Sequence, residues 1–140
     1  MATDTVRTRW IGDMAFEGDV DGHKIIVDAL PQAGGQNRGA RPKPVMLLAL
    51  AGCTGMDVIS ISKKMRLEIQ DLDIIISGDL SDDLPRRYIS MHIIYEIKGR
   101  NLPMDKLRKV VEMSEQKYCG VRAVYEKAVK MTSEIKIIEI

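Results

Sequence analysis

The amino-acid sequence predicts an α+β fold in which short strands come first and a long apolar helix occupies the middle of the chain. Three patterns predict it: alternation near the start, a helical run over residues 45–65, and a later series of two strands, two helical segments and a strand. With 140 residues, 15.7 kDa and 45% hydrophobic residues, the chain has the size and composition of one globular domain, predicted over residues 1–140.

The first third of the chain has the pattern of an antiparallel meander. Residues 5–11, TVRTRWI, alternate between two faces, as a half-buried strand does. Asp21 and Gly22 form a dipeptide that favours a tight hairpin turn, and the strand-like segment KIIVDAL follows it. Three strands are therefore expected before residue 31.

A loop and then a buried helix are predicted next. Residues 31–44, PQAGGQNRGARPKP, are too rich in glycine and proline for a regular element. Pro42 and Pro44 fit the first turn of a helix, where a missing N–H group is tolerated. The first half of the helical run over residues 45–65 is apolar on every side, which is typical of a helix that is covered all round.

The rest of the chain predicts two strands, two helical segments and a closing strand. The strand patterns are residues 66–80, 87–99 and 133–140, and the amphipathic helix of residues 103–118 is separated by Gly120 from a shorter one. The order is βββ-α-ββ-αα-β, with an antiparallel sheet packed on the central helix. Because one sheet covers one side of that helix, either the second helical segment or a second copy of the chain must cover the other, and we expect a homodimer.

Charge and hydropathy disfavour several classes of partner. The formal net charge is +1, with acids and bases interspersed, so no nucleic-acid partner is expected. The start, MATDTVRTRW, lacks the apolar core of a secretory signal, and no apolar run looks long enough to span a membrane. We therefore expect a cytoplasmic protein without a membrane partner, whose two cysteines are reduced thiols.

The first cysteine, Cys53, lies in the most apolar segment, VMLLALAGCTGMDVIS. On a helix, Cys53, Asp57 and Ser60 stand at i, i+4 and i+7 and share one narrow stripe. Close packing of helices explains the neighbouring glycines but not Asp57, which needs a partner when buried, and an arginine is expected. A carboxylate disfavours a nearby thiolate, so an activated Cys53 requires a cation. The upstream candidates are Arg7, Arg9, Arg38 and Arg41.

The second cysteine, Cys119, lies in SEQKYCGVRAV, where Gly120 interrupts the helical pattern. This places Cys119 near the N-terminal end of the next helix, where free N–H groups and the helix dipole favour a thiolate. A small buried residue at a helix junction explains the segment equally well.

The two cysteine segments together resemble the OsmC/Ohr family of osmotically inducible and organic hydroperoxide resistance proteins. LLALAGCTGMDVISISKKM is similar to the family's central-helix cysteine motif, and SEQKYCGV to its second cysteine motif. The motif around Cys53 is nearer to the less characterised OsmC-like branch than to the peroxidases. The resemblance extends over essentially the whole chain, because the predicted elements follow the family order.

The resemblance implies an intertwined homodimer that defends the cell against oxidative stress. Cys53 would be the peroxidatic thiolate that attacks an organic hydroperoxide, and Cys119 would resolve the sulfenic acid as a disulfide. An external dithiol would then reduce that disulfide, so neither a cofactor nor a metal is expected. This assignment opposes the local dipole argument, which favours Cys119 as the more acidic thiol.

One departure from the family concerns the carboxylate that orients its active-site arginine. In the hydroperoxide reductases a glutamate follows a proline shortly before the first cysteine. Here Pro42 matches the proline, while Lys43 and Pro44 stand where the glutamate is expected. Either Asp57 or another acid holds the arginine instead, or the activity is weak or altered. Arg38 and Arg41 are the candidate arginines because they lie close to the start of the helix, and Arg7 and Arg9 remain open.

Two other hypotheses compete with a peroxidase. The missing glutamate favours a non-catalytic dimer that binds a small molecule or senses redox state. A metal site built from Cys53, Cys119 and a histidine is the least favoured, because His23 and His92 lack the spacing of metal ligands.

Overall fold

The secondary structure follows the predicted order βββ-α-ββ-αα-β throughout residues 1–140, which a computed structural model describes in full. The strands are β1 (Arg7–Trp10), β2 (Phe16–Val20), β3 (His23–Val27), β4 (Asp71–Leu80), β5 (Tyr88–Gly99) and β6 (Lys130–Glu139). The helices are α1 (Pro42–Lys64), α2 (Met104–Met113) and α3 (Gly120–Tyr125). A 3-10 turn at Pro31–Ala33 and a π-helical turn at Ser114–Tyr118 complete the elements. The chain divides into two compact units, Met1–Met46 and Leu47–Ile140, and the single domain over residues 1–140 stays a prediction.

The N-terminal unit contains the predicted meander, in which β1, β2 and β3 pair antiparallel. The hairpin between β2 and β3 turns at Asp21 and Gly22, whose φ angles are 51° and 80°. Positive φ at both central residues gives the turn a backbone twist that matches the twist of the strands, as the sequence predicts. In the following loop, the buried Asp28 carboxylate accepts backbone N–H groups of Ala29, Gln36 and Arg38 at 2.7, 3.0 and 3.1 Å.

The C-terminal unit is built on a second sheet, in the order β4-β5-β6, so the structure has two three-stranded sheets and not one. β4 and β5 pair antiparallel, whereas β5 and β6 pair parallel. The parallel pair differs from the predicted antiparallel sheet for a topological reason. The chain returns through α2 and α3 before β6, and a long helical connection brings the last strand in beside β5 in the same direction.

The helix α1 is buried on one face within its own chain. Its residues Leu50, Val58 and Ile61 are buried against β5, where alternate residues also point inward. On the opposite side Leu48 is 67% exposed and Met56 is 76% exposed. The expectation of a helix covered all round therefore fails for the single chain. By length and composition alone α1 could cross a membrane, contrary to the sequence-based expectation, although the core helix of a soluble protein passes the same test.

The π-helical turn joins α2 to the second cysteine. The N–H group of Cys119 donates to the carbonyl of Ser114 at 2.7 Å, which closes a turn wider than an α-helical one. The side chain of Ser114 is fully buried, and that of Glu115 is half-buried. The wide turn thus presents two consecutive polar side chains to the inside of the unit before the chain reaches Cys119.

Candidate active site

Cys53 and Cys119 are neighbours in the C-terminal unit, where Cys53 packs against the core cluster that contains Cys119 and acts on the Cys119 thiol. Cys53 is half-buried in the middle of α1, and Cys119 stands at the N-terminal end of α3 with 3% of its surface exposed. Both are free thiols. The fold therefore brings together the two cysteines that the sequence separates, and the contact supplies the proximity that disulfide formation requires.

The environment of Cys119 holds a proton on its sulfur. Burial is the largest cause and raises the pKa of the Cys119 thiol to about 11, while the neighbouring Cys53 and the charge of Asp57 raise it further. The N–H group of Arg122 donates to Cys119 Sγ at 3.4 Å and acts in the opposite direction. The predicted position at a helix N-terminus is confirmed. The low pKa inferred from that position is wrong, because burial outweighs one backbone hydrogen bond.

Asp57 lies one turn beyond Cys53 on α1 and close enough for its charge to act on Cys119. Its Oδ2 accepts a hydrogen bond from Ser114 Oγ at 2.8 Å. The sequence predicts an arginine as the partner of this carboxylate, and the structure supplies a hydroxyl instead. A neutral donor leaves the negative charge of Asp57 beside the thiols uncompensated at this contact.

A line of buried hydroxyl groups continues from Asp57 into the core. Ser114 Oγ lies 2.9 Å from Thr54 Oγ1, which lies 3.1 Å from Tyr95 Oη. Tyr95 donates its hydroxyl proton to Glu115 Oε2 at 2.8 Å. We call the series Asp57–Ser114–Thr54–Tyr95–Glu115 the hydroxyl chain. Its three hydroxyl residues are each 1% exposed or less, and burial raises the pKa of Tyr95, which keeps that phenol protonated.

Arg122 closes the far end of the hydroxyl chain. Its Nη1 lies 3.1 Å from Glu115 Oε2, and both side chains are 13% exposed. Glu126, one turn further along, lies 3.7 Å from Arg122 Nε. Sequence reasoning missed Arg122 and Glu115 because it looked for the cation upstream of Cys53. The available signal was an arginine three residues after Cys119, in an otherwise apolar helix.

The four upstream arginines, Arg7, Arg9, Arg38 and Arg41, all belong to the N-terminal unit. Arg38 donates from Nη1 to the carbonyl of Ile11 at 3.1 Å, and Arg41 is exposed just before α1. Their predicted roles beside Cys53 stay predictions. Within the C-terminal unit the structure brings together Cys53, Cys119 and Asp57. The structure contains no group of three or more histidine, cysteine or acidic side chains that could hold a metal ion.

The predicted family resemblance is confirmed by comparison with known proteins. A model of the family described as "OsmC-like protein" matches residues 35–134, more than half of the chain. The chain belongs to the OsmC-like family. Its relatives include Protein YhfA of Escherichia coli, which is 27% identical over 133 residues that cover 94% of this chain and 96% of YhfA.

Solved structures share the fold of this OsmC-like protein over nearly its whole length. A hypothetical protein from Aquifex aeolicus is 26% identical with a TM-score of 0.84, and the match covers 99% of both chains. The organic hydroperoxide resistance protein OhrB of Bacillus subtilis is 21% identical with a TM-score of 0.66, over 96% of this chain and 98% of OhrB. The likeness to OhrB shows the fold alone. Family membership points to a redox or peroxidase-related role.

Proposed function

We propose that this protein reduces organic hydroperoxides, with Cys53 as the attacking thiolate and Cys119 as the resolving thiol. The contact between the two thiols carries the proposal. Because Cys119 keeps its proton, its S–H group can donate to a Cys53 thiolate, and a hydrogen bond to a charged acceptor stabilises that acceptor. Cys53 is also the less buried of the two cysteines, so a substrate reaches it more easily.

The chemistry proceeds in two balanced steps. The Cys53 thiolate attacks the terminal oxygen of the hydroperoxide, the O–O bond breaks, and the alkoxide leaves and takes up a proton to give an alcohol. Cys119 then attacks the sulfur of the Cys53 sulfenic acid, the S–S bond forms, and the hydroxyl leaves as water with the proton of Cys119. The peroxide is reduced by two electrons, and the two thiols are oxidised to one disulfide.

An external dithiol, by exchange, would regenerate both thiols in a reducing, cytoplasmic setting. We also propose a homodimer. The apolar side chains of Leu48 and Met56, exposed on α1, support it, because a second copy could cover them. Light scattering of the purified protein should give twice the mass of one chain. A single-chain mass at micromolar concentration would contradict the dimer without touching the thiol chemistry.

Turnover of cumene hydroperoxide with dithiothreitol tests the peroxidase. Cys53→Ser should lose turnover. Cys119→Ser should react once with peroxide and, in the absence of dithiol, accumulate a Cys53 sulfenic acid that dimedone traps and mass spectrometry detects. If Cys53→Ser consumes peroxide as fast as the wild-type protein, the mechanism is wrong.

A redox-sensing or small-molecule-binding dimer is the second candidate. It is favoured by Lys43 and Pro44 in place of the family's glutamate, and by the pairing of Arg122 with Glu115. Titration of the thiolate by its ultraviolet absorbance separates the two functions. A Cys53 thiolate that forms only near the reference pH of ~8.5, together with slow peroxide consumption, supports the sensor or binding protein.

A further inference from the structure

The hydroxyl chain has one proton fewer than it has contacts. Four oxygen–oxygen contacts of 2.8 to 3.1 Å join the two carboxylates through three hydroxyls, and each hydroxyl carries one proton. Ser114 donates to Asp57 and Tyr95 donates to Glu115, so Thr54 can donate to only one of its two neighbours. With both carboxylates ionised, one buried contact has no proton between its oxygens.

One added proton completes the hydroxyl chain if it enters at Asp57. Asp57 then donates to Ser114, Ser114 to Thr54, Thr54 to Tyr95, and Tyr95 to Glu115, so that all four contacts become hydrogen bonds. In a buried setting this gain is substantial, because an unmade hydrogen bond between buried polar groups is unfavourable.

Glu115, at the far end of the hydroxyl chain, accepts hydrogen bonds on both of its carboxylate oxygens. Glu115 Oε2 faces the guanidinium of Arg122 as well as Tyr95, and Ser133 Oγ donates to Glu115 Oε1 at 3.3 Å. Both oxygens of Glu115 are thus already engaged, by a guanidinium and by two hydroxyl donors. The added proton is therefore directed to Asp57, the end that receives a single neutral donor.

The Asp57 end adjoins the two thiols. Asp57 is one helical turn from Cys53 on the same face, and its charge acts on Cys119. It also lines a cavity of about 260 Å³ that it shares with Ser60, Lys64 and Tyr118. The titratable or charged groups near the Asp57 end are Cys53, Lys64, Tyr118, Cys119 and Tyr125. Those near the Glu115 end are Arg108, Glu112, Arg122, Glu126 and Glu134.

We propose that Asp57 takes up the proton that Cys53 releases on becoming a thiolate, that the hydroxyl chain stabilises the protonated Asp57, and that this proton then passes to the alkoxide leaving group. The S–H bond of Cys53 breaks, and its electron pair stays on sulfur for the attack on the O–O bond. The hydroperoxide proton stays on the oxygen bound to sulfur, and the alkoxide takes the thiol proton from Asp57. No proton is gained or lost overall. This role rests on the proposed peroxide reduction, with Asp57 as the proton acceptor and Ser114, Thr54 and Tyr95 as positioning residues.

Thr54→Val tests the role because valine has the shape of threonine without its hydroxyl. In this variant Ser114 still donates to Asp57 and Tyr95 still donates to Glu115, so both remaining contacts already hold a proton. Asp57 then gains nothing from a further proton. Thr54→Ser keeps the hydroxyl and should restore the wild-type behaviour, and Tyr88→Phe removes a tyrosine hydroxyl from the same strand as Tyr95 but outside the hydroxyl chain.

The readouts are the pH profiles of the first reaction with cumene hydroperoxide and of Cys53 alkylation by iodoacetamide, followed by mass spectrometry. Loss of general acid–base help should slow the peroxide reaction of Thr54→Val by about 100-fold near pH 6, with a much smaller loss near pH 9. Its alkylation profile should move to higher pH by about one unit, because the proton must then leave to solvent. Thr54→Ser and Tyr88→Phe should follow the wild-type profiles.

The outcomes separate this role from the proposed function. Suppose that the wild-type protein turns over peroxide through Cys53 and that Thr54→Val has the same two pH profiles as the wild type. The role of Asp57 as proton acceptor is then overturned, and the proposed peroxide reduction is not affected. Equal shifts in Thr54→Val and Thr54→Ser overturn it as well, since they show a packing effect. If the wild-type protein shows no turnover that depends on Cys53, the proposed peroxide reduction is wrong. The alkylation profiles still decide whether Asp57 receives the Cys53 proton.

Discussion

The two faces of α1 depart from the usual pattern of a helix at a protein surface. The inner face carries the buried hydroxyls of Thr54 and Ser62 among apolar neighbours, and Asp57 lies beside them. The outer face carries exposed apolar side chains, including Leu48 and Met56. Helices at the surface of a globular protein normally direct apolar residues inward and polar residues outward.

This distribution gives the two faces different roles, with polar groups near the thiols on one and apolar groups available for association on the other. Thr54 and Asp57 are hydrogen-bonded to Ser114 across the core, so they can hold and move a proton next to the thiols. The outer apolar groups have no partner in the single chain and need cover from elsewhere. A helix with this distribution gives a weak amphipathic signal, and the sequence therefore suggested a helix buried on every side.

Truncation of two leucines, one on each face of α1, should give the largest difference in stability between the faces. Leu50 is fully buried and Leu48 is 67% exposed. Leu50→Ala should lower the free energy of unfolding by about 2–5 kcal/mol, because it leaves a cavity in the core. Leu48→Ala should lower it by less than about 0.5 kcal/mol in the isolated chain. Urea denaturation measures both, and a larger, concentration-dependent loss for Leu48→Ala would show that a second copy covers it.

Two serines test the polar part of the inner face. Ser114→Ala removes the donor to Asp57 and a contact with Thr54, and should destabilise by about 1–3 kcal/mol. Ser62 is equally buried, but its hydroxyl has no hydrogen-bond partner, so Ser62→Ala should be neutral or stabilising. Thermal unfolding of the two variants should separate them clearly. Equal losses would show that burial, and not the hydrogen bond to Asp57, sets the effect.

The raised pKa of Cys119 predicts a loss of stability in alkaline solution. The pKa is about 11 in the folded chain and about 9 in the unfolded chain, so the folded chain holds this proton to higher pH. The resulting stabilisation is complete below pH ~9 and disappears as the pH rises toward ~11. Cys119→Ser should flatten the pH dependence of urea denaturation in this window. An unchanged slope in the variant would contradict the assignment to Cys119.

The two glycines beside Cys53 should give the smallest effects. A Cβ atom at Gly52 meets nothing within 4 Å, whereas one at Gly55 lies 3.0 Å from Ile74 Cδ1. Gly52→Ala should stabilise the isolated chain by up to ~1 kcal/mol through helix propensity, and Gly55→Ala by less because Ile74 must shift. Thermal unfolding at low protein concentration measures this difference. A destabilising Gly52→Ala would indicate that another backbone packs there, as in a dimer.

The order of elements could be predicted because each rests on local patterns. The prolines at the start of α1, the Asp21-Gly22 turn and the alternation in β5 act over a few residues, and the structure confirms all three. The direction of β6 and the split into two sheets could not be predicted in the same way. They depend on how α2 and α3 return the chain, which is a property of packing.

The residues of the candidate site also fall into those that local sequence identifies and those that only packing identifies. Cys53, Asp57 and Cys119 stand out in the sequence because their chemistry is unusual for an apolar setting. Glu115 and Arg122 look like ordinary charged residues, and only the π-helical turn and α3 turn them toward each other at 3.1 Å. The proton on Cys119 was assigned wrongly because a dipole argument uses local position, whereas desolvation depends on every neighbour.

By itself the sequence determined the α+β class, the order of the elements and the two cysteines that the family motifs contain. These features are encoded over short windows, in which propensity and residue chemistry suffice. Tertiary structure alone decided which thiol keeps its proton, which partner Asp57 receives, and which face of α1 is covered. Each depends on atoms brought together from distant parts of the chain, and burial and hydrogen bonding exist only after that assembly.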